Sequence, residues 1–302
     1  MRNPSARVAA PAALALLLLT GCAVPSLLQP VAECDEESTI AEIADCNAGA
    51  GLDPASSDLV STTRISAGNA ETVQEYVDYV IADLDTTWSA WFAQVGLSEP
   101  YVSYDVIQPD ETWSTLCDLN GDGQQGNDFL EHDTPNAFYC HLDGEVTADA
   151  DWRGTIWLPE TTMAWMWSGL IISQQSAYPG DFAAAIVVAH EFGHHVWFEM
   201  LTQFDEQGQD VIIPSPKNRE LIADCFAGNW MYSAYTDAIL EAGDVDEAVA
   251  AMEAVGDFEV NSPQHHGTPD ERREALLGGF EGVGGQFGPG DPWGCVAKYW
   301  QE

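Results

Sequence analysis

Basic side chains are scarce in this chain. Nine Lys and Arg stand against 49 Asp and Glu in 302 residues, a formal net charge of −40. A surface of that sign repels nucleic acid and anionic lipid headgroups, which argues against both as partners. The acids do not signal disorder. With 46% hydrophobic residues and 11 tryptophans there is ample material for a core, so they read as a solvated skin. Beyond the N-terminus no apolar run approaches the roughly 18 residues a membrane span requires. The Gly-rich tail "GGFEGVGGQFGPGDPWG" lacks the Gly-Lys-Ser/Thr of a phosphate loop and reads as a loop. No internal repeat is visible.

The N-terminus itself is basic, then apolar to Leu19, then Thr20-Gly21-Cys22. That is a secretory signal, too short to span. "LTGC" also resembles a lipoprotein box, which makes Cys22 the lipidated first residue of the mature chain; an ordinary signal with a chance cysteine is the alternative. Cleavage removes two of the nine basic residues and no acid, so the formal charge falls by two to −42. The expected location is outside the cytoplasm, tethered to the membrane by acyl chains only, or secreted if the box is not used. Six cysteines then remain, which suits an oxidising compartment and allows 15 connectivities. Proximity favours Cys34–Cys46 and Cys117–Cys140, leaving Cys225–Cys295, with free thiols as the alternative.

Residues 22–68 are rich in Ser, Ala, Pro, Asp and Glu and read as a flexible stalk carrying one small disulfide loop. From Asn69 apolar residues recur at three- and four-residue spacing from Val73 to Val95, an amphipathic helix. β-Prone pieces follow at Tyr101–Ile107 and Thr155–Leu158. Helices are expected over Asp181–Leu201, roughly Lys217–Glu241, and Asp246–Val255. A last helix opens at Thr268-Pro269-Asp270-Glu271, a capping box with Pro at the first helical position. Residues 69–302 thus form one domain of α+β class, mainly helical, with a small sheet.

The chemistry is concentrated in "AAAIVVAHEFGHHVWFEML", residues 183–201. On a helix, positions four apart nearly superimpose, so His190 and His194 share a face while His195 does not. Two imidazoles one turn apart can converge on a zinc ion about 2 Å from each. Glu191 projects beside such an ion and can take a proton from the water it activates. A third ligand is required, and "RELIADCFAGNW" offers Glu220, with Asp224 one turn later to accept a hydrogen bond from the far nitrogen of a ligand histidine, His190 in the favoured reading. The plainer alternative pairs Glu220 with neighbouring Arg219. His195 reads as a packing or surface residue, and His132, His141 and His265 carry no functional signal.

"GDFAAAIVVAHEFGHHVW", "ELIADCFAGNW" and "HHGTPDERREALLGGFEG", with "NAFYC" and the terminal cysteine, resemble the bacterial putative neutral zinc metallopeptidases over about residues 117–295. The resemblance implies a zincin-like domain with an active-site helix and a second ligand-bearing helix. It implies zinc held by His190, His194 and Glu220, with Glu191 as base, and it matches Cys225 and Cys295 to cysteines of the family.

Two further sites are weaker. His266, just before the capped helix, is the candidate to polarise a substrate carbonyl, with Arg272 as its partner; a capping or structural histidine is the alternative. "DLNGDG" places Asp118, Asn120 and Asp122 at calcium-loop positions one, three and five, but Phe129 stands where a bidentate Glu belongs, so a polar turn is the alternative to Ca2+. The expected function is hydrolysis of peptide or protein substrates by a zinc-dependent metallopeptidase. The rival is a non-catalytic surface lipoprotein whose metal only holds the fold. A base that is not a ligand speaks against that rival, as does the lack of a closed, cysteine-rich ligand set.

Overall fold

A computed structural model of the chain describes residues 72–119, 126, 128–144, 153–171, 174–175, 178–258, 262 and 265–301. The segments expected to be a signal and a stalk, with Cys22, Cys34 and Cys46, lie outside the described residues.

Helix α1 (Val73–Val95) starts where the Thr72 hydroxyl accepts the Glu75 N–H and stops at Gly96, whose φ of 78° lets the chain turn away. Its apolar face buries Tyr76, Val80, Leu84, Trp88 and Trp91. Strands β1 (Ser103–Ile107), β4 (Phe138–Cys140) and β5 (Thr155–Pro159) form a three-stranded sheet in the order β1-β5-β4. β5 is central and buried at all five positions, parallel to β1 and antiparallel to β4. Among the described residues two small antiparallel pairs add to the sheet: β2 (Trp113–Thr115) with β3 (Asp128–Leu130), and β6 (Leu170–Ile171) with β7 (Gln174–Gln175). The other helices among the described residues are α2 (Glu160–Trp167), α3 (Asp181–Glu206), α4 (Pro216–Thr236), α5 (Asp244–Val255), α6 (Pro269–Glu281) and α7 (Pro292–Tyr299). The fold is α+β and mainly helical. Among the described residues no helix is long and apolar enough to cross a membrane.

Several boundaries differ from the sequence reading, each for a local reason. α3 runs five residues past Leu201, since Gln203 and Phe204 are still buried. α4 ends at Thr236 rather than Glu241, because Ala238 turns the chain back at φ 56°. The Gly-rich tail is not all loop: Asp291 caps α7 by accepting the Trp293 N–H, with Pro292 at the first helical position.

The core joins α1, α3, α4 and α7 through aromatic contacts. Trp88 meets Phe226 edge-on, Trp91 packs on Trp293, and Phe182 stacks on Trp230. Cys225–Cys295 ties α4 to α7, and Cys117–Cys140 ties the segment after β2 to β4. Both pairs are those that proximity favoured or left over. α6 lies so near α4 that a Cβ on Gly279 would fall 1.9 Å from the Cys225 carbonyl oxygen, and one on Gly228 2.0 Å from that of Leu276. Glycine is required at both.

α1 carries Asp83, which accepts the Trp230 indole N–H at 2.7 Å. Burial raises this carboxyl to about 6, against a value near 4 in the unfolded chain. A carboxyl more easily protonated when folded contributes stability that is complete below about pH 4 and lost as pH rises through 6. Asp83→Asn keeps an oxygen for Trp230 and removes the charge. The variant is expected to be more stable than the parent by about 1–2 kcal/mol at pH 8, the gap closing toward pH 4. Chemical denaturation at several pH values checks this, and a gap that stays constant with pH counts against it.

Candidate metal centre

α3 lacks room for a side chain at its middle. A Cβ on Gly193 would stand 2.7 Å from the Ala223 carbonyl oxygen and 3.0 Å from its Cα, so this glycine lets α3 and α4 cross backbone against backbone. The crossing sets His190 and His194 opposite Glu220.

The three side chains converge. His190 Nε2 and His194 Nε2 are 3.1 Å apart, and the Glu220 oxygens lie 3.4 Å from the first and 3.6 Å from the second. Tetrahedral zinc with bonds of 2.0–2.1 Å places neighbouring donor atoms about 3.3 Å apart, so the donor set fits the ion in kind and spacing. Glu191 also offers an oxygen within 4.8 Å of both imidazoles, in the one such group found among the described residues. It is the poorer third ligand, because its Oε2 already accepts the Tyr139 N–H from edge strand β4 at 2.8 Å. Arg219 does not pair with Glu220; it lies against the Trp197 ring instead.

Behind the imidazoles, His190 Nδ1 lies 2.8 Å from Asp224 Oδ1, as the spacing on α4 led one to expect. Asp224 is held in turn by Arg272 from α6, whose Nε and Nη2 donate to its two oxygens at 2.8 and 2.7 Å. Both are almost completely buried. Arg272 is thus the partner of Asp224 rather than of His266. At His194 the Trp197 indole N–H donates to Nδ1 at 3.2 Å. That contact requires the neutral ring to carry its proton on Nε2, so it and ligation through Nε2 are alternatives.

The electrostatics follow from burial and neighbours. Burial pulls the His190 pKa down, but the Asp224 charge outweighs it and carries the value up to about 9. Burial favours the neutral form of Glu220, yet the imidazoles of His194 and His190 hold it well below the usual carboxylate range. Glu191 ends on the other side: burial raises it against the pull of both histidines. A carboxyl beside the two imidazoles and raised above its ordinary value is suited to exchanging protons.

The site opens into a cleft of about 590 Å3, lined among others by Tyr139, His141, Trp197, Arg219 and His266. His266 is exposed at its rim, and its backbone N–H donates to Asp257 at 2.8 Å. His265, which showed no signal in the sequence, is buried with Nδ1 2.5 Å from the other Asp257 oxygen. His195 is also buried, its ring nitrogens engaged by the Tyr139 hydroxyl and the Pro100 carbonyl, so packing is its role. Asp118 is not among the cleft residues, and Asn120 and Asp122 lie outside the described residues. Tyr139 escaped sequence reasoning because its contribution is a backbone N–H, which every residue but proline carries.

The family described as "Putative neutral zinc metallopeptidase" matches residues 46–281. Among curated proteins, the chain is 27% identical over 251 residues to the uncharacterized protein YpfJ of Escherichia coli (strain K12), covering 78% of this chain and 74% of the relative. It is 29% identical over 164 residues to the uncharacterized protein Rv2575 of Mycobacterium tuberculosis (strain H37Rv), covering 48% and 51%. No solved structure matches. The chain belongs to the putative neutral zinc metallopeptidase family.

Proposed function

We propose that the protein is a zinc-dependent peptidase acting outside the cytoplasm, anchored through a lipidated Cys22. His190, His194 and Glu220 would hold the ion. When bound, zinc supplies a Lewis acid that makes a water nucleophilic near neutral pH. Glu191 takes the proton of the attacking water and returns it to the leaving amine. The Tyr139 N–H fixes one Glu191 oxygen, leaving the other for that proton. Asp224, backed by Arg272, accepts the His190 Nδ1 proton and so directs Nε2 at the ion. His266 at the cleft rim donates to the carbonyl oxygen of the substrate as its charge develops.

The observation that carries this reading is the convergence of two imidazoles and one carboxylate at tetrahedral spacing, with a second carboxylate beside them that belongs to none of the three. A purely structural metal site has no use for that fourth group. The test is removal and return of the metal. Peptide or casein hydrolysis by the purified mature protein is expected to fall to background with a chelator and to return with one equivalent of zinc. Stoichiometric zinc with no turnover across broad peptide libraries would instead leave a metal-stabilised surface lipoprotein. The "DLNGDG" loop remains a proposal for Ca2+, carried by its sequence spacing alone.

A further inference from the structure

The six basic residues among those described are not alike. Arg153 pairs with Glu199 and Glu206, Lys217 with Glu271, Arg272 with Asp224, Arg273 with Glu253 and Lys298 with Glu274. Arg219 makes no ion pair among the described residues, in a chain with 49 carboxylates. Its Nε is buried and without a hydrogen-bond partner. Its guanidinium lies 5.9 Å from the centroid of the Trp197 ring, and the residue lines the cleft. Its charge reaches His141 across that cleft and, after burial, is the next largest cause of that imidazole's lowered pKa.

Nor does local structure explain it. Arg219 is the fourth residue of α4, near the positive end of the helix dipole, and the first turn of α4 contains no acid. A cation is disfavoured there. Adjacent helical residues diverge by about 100°, so Glu220 faces the histidines while Arg219 faces the cleft wall beside them. Its planar fork is the side chain suited to gripping a carboxylate in two places, and the indole under it limits the orientations it must give up.

We propose that Arg219 is a specificity residue that binds a carboxylate of the substrate, so that the cleft selects peptides carrying an acidic group near the bond to be cut. This rests on the peptidase reading above. The carboxylate can be an Asp or Glu side chain or a free C-terminus, and the two are separable by experiment.

The test uses the zinc-loaded mature protein and peptides matched in pairs: Glu against Gln at each position flanking the scissile bond, and free acid against amide at the C-terminus. The ratio of kcat/KM within a pair is read, not the absolute rate. The wild type is expected to favour the carboxylate member of one pair by about 10- to 100-fold. Selection in the side-chain pairs marks an internal acidic residue; selection in the terminal pair marks a carboxypeptidase. In Arg219→Gln that ratio collapses toward one, in Arg219→Lys part of it survives, and in Arg219→Glu it falls below one. A ratio near one in the wild type overturns the proposal, as does a preference that persists in Arg219→Gln. If no peptide is cleaved, the peptidase reading fails on its own account. Calorimetric binding of the same pairs then decides for Arg219: a carboxylate preference lost in Arg219→Gln supports it, and equal binding overturns it.

Discussion

Glu191→Gln is expected to lower peptide hydrolysis by about 10³- to 10⁴-fold while zinc stays bound at one equivalent. The amide matches the carboxylate in size and can still accept the Tyr139 N–H through its oxygen. It cannot take a proton from water, and it is not one of the three proposed ligands. Loss of turnover with metal content unchanged is therefore the signature of a base, whereas a ligand would lose both together. Full activity in the variant would end the mechanism. A parallel loss of zinc would instead make Glu191 a ligand, in keeping with its distance from both imidazoles.

Asp224→Ala is expected to cost about 3–5 kcal/mol of stability and to weaken zinc binding by about 10- to 100-fold. The reason is what the substitution strands. Arg272 is 3% exposed and finds both its strong acceptors on Asp224, so removing the carboxylate leaves a buried guanidinium with little compensation. At the same time His190 loses the acceptor at its Nδ1 and with it the bias that turns Nε2 toward the ion. Denaturant unfolding with and without saturating zinc separates the two effects. A variant within 1 kcal/mol of wild type and equal in zinc affinity would show that the pair does neither job.

Much of this centre was legible in the sequence because its components are local. His190, Glu191 and His194 lie within one helical turn, as do Glu220 and Asp224, and helical periodicity alone says which share a face. The Thr268 capping box is equally local and is present as expected. What could not be read is what the fold brings from afar. Arg272 reaches Asp224 across 48 positions and Tyr139 meets Glu191 across 52. Neither has a sequence signature, since one is a common surface cation elsewhere and the other acts through its backbone. α2 was missed because "ETTMAWMW" shows no sustained amphipathic spacing, and it is held by the buried Thr162, Met163 and Met166. α7 was missed because the glycines before it overshadowed Asp291-Pro292, an adequate start signal.

The absence of a β carbon at Gly193 has a consequence for anyone transplanting this centre into another scaffold. Helices commonly pack with axes 8–10 Å apart, with side chains filling the gap. Here main chain meets main chain at the point of crossing, so the reach from each helix to the cation is set by the crossing itself. Copying the two imidazoles and two carboxylates onto an ordinary helical pair would leave their heads too far apart to share one ion. The smallest residue in the motif, which binds nothing, has to travel with them.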